Sequence, residues 1–269
     1  VSQVLCVGDT TEEIEFTTTN TDGTTTYTWT NDNPAIGLAA SGPEDATATT
    51  IPSFVVTNDT TNALVATIEV TPTYENDGIT SVGNPETFTI TVNPLGQVEP
   101  VASQEICPGE STDEIVFTTT NTDGTTTYAW TSDNTEFGLD ASGDGNIDSF
   151  TPSLVTTSQI ATIVVTPTYE NDGVTCEGNP ETFTITVNPE AQVEPVTSQV
   201  LCVGESTEEI EFTTINTDGT TTYTWTNDNP LIGLAASGPE DATATTIPSF
   251  VVTGSSEVSE IATIVVTPT

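Results

Sequence analysis

The 269-residue chain contains no lysine, arginine, histidine or methionine, against 40 aspartates and glutamates, so its formal net charge at pH 7 is −40. Each absence removes chemistry. A nucleic-acid backbone or an anionic lipid surface needs Lys and Arg to neutralise it, so nucleic acid and acidic membranes are excluded as partners. A histidine base, a lysine Schiff base, a P-loop lysine and an arginine clamp are all excluded as well. Trypsin-like proteases have no primary site, and Lys–Asn isopeptide cross-links cannot form. No apolar run approaches the ~18 residues of a membrane span, and Val1 opens no signal peptide with a basic leading segment. Carboxylates, hydroxyls and four thiols remain.

Apolar residues make up 34% of the chain, about 41% with glycine, under the roughly 45–50% of ordinary globular proteins. Such a chain carries thin cores. Its apolar residues are nevertheless ordered in short alternating runs, which acidic disordered tails lack.

The organising feature is an internal repeat. Trp29, Trp130 and Trp225 recur in the contexts TTTYTWTNDN, TTTYAWTSDN and TTTYTWTNDN, separated by 101 and then 95 residues. Cys6, Cys107 and Cys202 follow the same steps, whereas Pro72, Pro167 and Pro268 in the string VTPT step by 95 and then 101. The middle copy is therefore six residues shorter. The loss falls mostly where the first copy has Asn58 to Asn62, which reads as a shortened surface loop. These spacings divide the chain into repeats at 1–94, 95–189 and 190–269. The third stops where the first two continue into YENDG and NPETFTITVNP, so the chain reads as a window on a longer array.

Within a copy the apolar period is two. Ile14 and Phe16, Tyr27 and Trp29, Ile68 and Val70, and Phe88, Ile90 and Val92 each alternate with polar residues. Adding VSQVLCV, AIGLAA and IPSFVVT gives about seven short strands per ~95 residues, as in an immunoglobulin-like sandwich. The expected fold class is all-β: tandem immunoglobulin-like β-sandwich repeats in an elongated rod. Asp22-Gly23 and Asp77-Gly78 have hairpin-turn chemistry, although in such a sandwich the strands flanking Asp22-Gly23 lie in different sheets; spacing leaves both arrangements open. The connections NPLGQVEP (93–100) and NPEAQVEP (188–195) carry two prolines each and should be extended and semi-stiff.

Four cysteines without histidine and without Cys-x-x-Cys suit no usual zinc site and point to a disulfide. Within the second copy, Cys107 and Cys176 are the natural pair, which implies an oxidising compartment. The first copy has Ser81 in place of a second cysteine, leaving Cys6 as either a buried thiol or an intermolecular bridge. Trp29, Trp130 and Trp225 could stack on sugars, but their alternation with a tyrosine on one strand face favours the core. Among the carboxylates, Asp144, Asn146 and Asp148 stand at alternate positions suited to calcium. That run fails the EF-hand pattern and is missing from the other copies, so diffuse counterion condensation is the competing reading. The sequence calls for no cofactor other than such calcium. Acids spread evenly over near-equal copies, with no long loop to build a cleft, argue against an enzyme.

The first-strand Cys followed by Gly, the block YTWTNDNPAIGLAASG, then VTPTYENDG and the closing NPETFTITVNP resemble the PKD-like repeat of giant surface adhesins in Bacteroidota, of the flavobacterial gliding type. The resemblance implies an immunoglobulin-like sandwich strung in long arrays, export through the type IX secretion system, and partnership with further repeats and with the gliding and secretion machinery on the bacterial cell surface. Asp9-Thr10-Thr11 and Asp59-Thr60-Thr61 resemble the O-glycosylation signal of these bacteria. The functional expectation is a stalk segment of a secreted adhesin filament. The other reading is a module binding carbohydrate or protein through acidic loops, with or without calcium.

Overall fold

The computed structural model describes residues 2–43, 47–107, 109–241, 243–254 and 257–269. Among them there is no α-helix, and no helix long and apolar enough to cross a membrane. The first repeat contributes β1 (Gln3–Cys6), β2 (Ile14–Glu15), β3 (Thr24–Asn31), β4 (Ser41–Gly42), β5 (Thr50–Ile51), β6 (Leu64–Asn76), β7 (Ile79–Val82) and β8 (Glu86–Asn93). The second contributes β9 (Gln104–Ile106), β10 (Thr125–Ser132), β11 (Ser142–Asp144), β12 (Gln159–Asn171), β13 (Val174–Glu177) and β14 (Glu181–Val187). The third contributes β15 (Ile210–Glu211), β16 (Tyr223–Asn227), β17 (Ser237–Gly238), β18 (Thr246–Ile247) and β19 (Ile264–Pro268).

The larger sheet of the first repeat runs β1-β8-β6-β3-β4, with β7 paired to one end of β6. The second repeat builds the same sheet as β9-β14-β12-β10-β11, with β13 on β12. In both, the first strand lies parallel to the last, with Cys6 opposite Asn93 and Ile106 opposite Val187. A thinner layer covers the other side. There Ile14 pairs with Ile51 and Thr10 with Val55, Ile115 with Ile147, and Ile210 with Ile247. These are immunoglobulin-like β-sandwiches in tandem.

The period-two pattern is what places the cores. Along β12 the residues Ala161, Ile163, Val165, Pro167 and Tyr169 are buried, while those alternating with them are not. Each repeat closes its own apolar cluster, around Trp29, Trp130 and Trp225. Each tryptophan lies over a glycine of the neighbouring edge strand: a Cβ on Gly143 would come within 2.5 Å of the Trp130 ring, and Gly238 stands the same way under Trp225.

One local reading of the sequence is corrected, and one that spacing left open is settled. AIGLAA is no strand: Asn33-Pro34 starts a single 3₁₀ turn, Pro34–Ile36, ended by Gly37 at φ 96°. Proline at its start lacks the N–H a central strand would need, yet Ile36 still reaches the core and is fully buried. Asp22-Gly23 is a crossing between layers and not a hairpin, because β2 pairs with β5 and β3 with β6. The Tyr74 hydroxyl, donating to the Asp22 carbonyl, ties the crossing down. Asp77-Gly78 does close a two-residue hairpin, both residues having positive φ (48° and 77°), as a type I′ turn requires.

The chain exposes 15651 Å². A compact globule of this mass exposes about 11,000 Å², and three independent globules of a third the mass expose roughly 15,000 Å². The repeats therefore meet only through small junctions.

Candidate functional site: the junctions between repeats

Chemistry concentrates where one repeat hands over to the next. At the first junction Cys6 of β1 is disulfide-bonded to Cys176 of β13, with Cα atoms 5.6 Å apart at a sequence separation of 170. The bond joins neighbouring repeats. This corrects the expected Cys107–Cys176 pairing, and strand register supplies the reason. Cys107 follows Ile106, which sits opposite Val187 and hence near Gln159 at the start of β12, whereas Cys176 sits opposite Tyr169. Ten residues of strand separate those positions, about 33 Å at 3.3 Å per residue, against the 4.4–6.8 Å Cα spacing that a disulfide tolerates. First-strand cysteines lie at the far pole of their own repeat and hairpin cysteines at the near pole. Cys107 and Cys202 are unbonded and exposed.

Around the bond the connection 93–101 is held by its backbone. Gly96 N–H donates to the Cys176 carbonyl at 3.2 Å, Gln97 N–H to Asn121 Oδ1 at 2.7 Å, and Glu99 N–H to the Thr118 carbonyl at 2.8 Å. Asn121 Nδ2 donates in return to the carbonyls of Leu95 and Thr61, each at 3.2 Å. Val98 and Val101 pack onto the core of the second repeat. Gly96 is required here: a Cβ would lie 2.7 Å from the Pro167 carbonyl oxygen. Asn93, wholly buried, exchanges two hydrogen bonds with Asn171.

The loop from Asn58 to Asn62 belongs to this junction. Asn58 is buried and ties Asn62 to Val92, while the Thr61 carbonyl accepts from the Thr122 N–H at 3.4 Å and the Asn62 side chain meets Thr122. The six residues missing from the second copy thus alter a junction surface. At the second junction the Ser158 N–H instead donates to Asp218 Oδ2 at 3.0 Å. The linker clamp recurs in part: Gln192 N–H donates to Asn216 Oδ1 at 3.0 Å, Asn216 Nδ2 to the Glu190 carbonyl at 3.0 Å, and Glu194 N–H to the Thr213 carbonyl at 2.8 Å, while Val193 packs on the third core.

Sequence reasoning missed Asn93, Asn121 and Asn216. A signal existed for the clamp pair: the string NTDG recurs at 20–23, 121–124 and 216–219, and its asparagine keeps its place in every copy.

The other candidate residues lie apart from the junctions. Trp29, Trp130 and Trp225 are nearly buried (6–7% exposed) and belong to the cores; their Nε1 atoms have no hydrogen-bond partner. Asp144, Asn146 and Asp148 are exposed on and after β11. Asn146 spends its Oδ1 on the Phe117 N–H at 3.1 Å, and Ile147 between them is buried. Among the described residues no three His, Cys, Asp or Glu side chains gather into a group able to hold a metal ion.

Two tyrosines have raised pKa values. Burial is the largest cause for both; the charge of Glu99 adds to it at Tyr128 against an opposing hydrogen bond from Thr119, and Asp123 and Asp172 add to it at Tyr169. Tyr169, fully buried, donates to the Thr122 carbonyl at 3.1 Å.

No protein-family description and no curated protein matches the chain. Among solved structures it is similar to mouse cadherin-23 EC22-24, at 14% identity over 98% of this chain and 88% of that one, with a TM-score of 0.43. Human CDH23 EC21-23 follows at 11% identity, 94% and 99% coverage and a TM-score of 0.41. The immunoglobulin domains 1-5 of Sidekick-1 give 8% identity over 93% of this chain and 50% of that one, with a TM-score of 0.30.

Proposed function

We propose that this chain is a stalk segment of a secreted adhesin on a bacterial cell surface, built of repeats 1–94, 95–189 and 190–269 and acting by holding length and direction rather than by catalysis. The observation that carries the reading is the Cys6–Cys176 bond between neighbouring repeats. A disulfide inside a sandwich stabilises that sandwich. One placed between sandwiches, beside a backbone-clamped linker, restrains bending and resists separation. Disulfides persist in oxidising compartments, which agrees with export. The charge of −40 disfavours edge-to-edge pairing with neighbouring filaments. The finer assignment, to a gliding-type adhesin exported by type IX secretion, rests on the sequence resemblance alone.

Small-angle scattering tests the stalk directly. The 13 residues of β6 span about 43 Å, so three repeats in line give a rod of roughly 120 Å with a radius of gyration of about 35 Å. A compact protein of this length has about 18 Å. A value near the compact one defeats the proposal.

A further inference from the structure

We propose that an open groove on the first repeat is the seat of a linker of the N-P-x-x-Q-V-E-P type, carried by a further repeat and joined in cis to the strand that begins at Gln3. The proposal deepens the stalk reading and rests on it. The groove has a volume of about 640 Å³, and its lining includes Phe16, Thr17, Asn20, Tyr27, Pro72 and Gly83.

These residues are the counterparts, by repeat spacing, of the ones that grip the linker in the second repeat. Thr17 corresponds to Thr118, whose carbonyl accepts from Glu99 N–H, and Asn20 to Asn121, which brackets Gln97 and Leu95. Pro72 and Gly83 correspond to Pro167 and Gly178, the surfaces against which Gly96 lies. The third repeat grips its own linker with the same set, Thr213 and Asn216. A linker is therefore seen on the corresponding threonine and asparagine of both other repeats.

Burial points the same way. Phe117, Pro167, Tyr169 and Phe183 are buried in the second repeat, where the linker covers them, whereas Phe16, Pro72, Tyr74 and Phe88 are only half-buried in the first. Tyr27 marks the floor of the groove. It lines the groove and is 6% exposed, yet its hydroxyl has no hydrogen-bond partner, an arrangement that protein interiors rarely leave uncompensated.

One further difference defines the junction that the groove would make. The position of Cys176 is held by Ser81, so this seat takes its linker without a disulfide. A chain built with such repeats would contain both stapled and unstapled joints.

The test compares the full chain with the same chain extended at its N-terminus by Asn-Pro-Leu-Gly-Gln-Val-Glu-Pro-Val, the sequence of residues 93–101, by amide hydrogen exchange. With the extension, amides of residues 16–20 and 81–88 should exchange at least ten-fold more slowly, and Asn20→Ala in the extended chain should remove most of that protection. Equal exchange with and without the extension overturns the proposal. Protection by the free nonapeptide alone at micromolar concentration also overturns it, because a linker from another molecule would then suffice. Failure here is distinct from failure of the stalk, since the radius of gyration of the original chain reports only on its own two junctions.

Discussion

Asn93 and Asn171 face each other across the first junction and exchange two hydrogen bonds of 3.0 Å, from Asn93 Nδ2 to the Asn171 carbonyl and from Asn171 Nδ2 to Asn93 Oδ1. The pair sits beside the Cys6–Cys176 bond, because Asn93 is the register partner of Cys6 and Asn171 ends the strand that leads to the hairpin of Cys176. A buried amide pair of this kind fixes rotation about the junction, while the disulfide fixes separation. Asn93→Ala leaves the Asn171 amide short of its partner, a loss of about 1–3 kcal/mol for a buried polar group. Urea denaturation of the first two repeats under reducing conditions should show that loss, with the third repeat unaffected.

The tryptophan–glycine stacking predicts a core defect confined to one repeat. Gly143→Ala drives a methyl to 2.5 Å from the Trp130 ring, and overpacking of that kind costs about 1–3 kcal/mol. The lowest calorimetric transition should fall and be assignable to the second repeat by the fluorescence of Trp130 in a Trp29→Phe, Trp225→Phe background. An unchanged transition would show that the edge strand is free to move away.

Tyr128 and Tyr169 set the alkaline limit. Their folded pKa values lie above the ordinary 10.0, so between the unfolded and folded values the folded chain holds protons that the unfolded chain has released. Stability from this source is fully present below the unfolded value and is lost as pH rises through the folded one. Loss of the Tyr169 proton also removes its bond to the Thr122 carbonyl. Absorbance titration at the phenolate band should show the Tyr128 and Tyr169 phenolates appearing above pH 10, together with the onset of unfolding.

With 40 acidic side chains and no basic ones, the folded repeats repel themselves, and salt screens that repulsion beyond a Debye length of about 8 Å at physiological ionic strength. Melting temperature should rise as sodium chloride is raised from near zero to 0.15 M. Calcium at matched ionic strength should add nothing further, and Asp144→Asn with Asp148→Asn should leave that result unchanged. A calcium-specific rise abolished by the double substitution would make residues 144–148 a metal site after all.

What the sequence made legible is what local chemistry dictates. Alternation placed Tyr27 and Trp29 on one strand face, and Asp77-Gly78 announced its hairpin through its need for positive φ. Legibility ended where pairing is long-range. The run around Ile36 is apolar enough to read as a buried strand, and only the Asn33-Pro34 step betrays the 3₁₀ turn. Asp22-Gly23 has hairpin chemistry yet joins two layers, since the partners of β2 and β3 are chosen by strands far along the chain. The disulfide was illegible for the same reason. Nothing in a single copy reveals that its first strand runs parallel to its last, and it is this parallel register that carries Cys6 to the pole facing the next repeat. Asn121 looks like any loop asparagine until the linker is seen lying across it.

The most direct test of the account is non-reducing peptide mapping after cleavage at glutamates, which the sequence permits because Glu12, Glu105, Glu110, Glu170, Glu177, Glu190 and Glu205 place the four cysteines in separate peptides. The predicted result is one cross-linked pair, residues 1–12 with residues 171–177, together with free thiols in 106–110 and 191–205. A cross-link between 106–110 and 171–177 would contradict it, returning the disulfide to the interior of one repeat and removing the staple on which the stalk proposal rests.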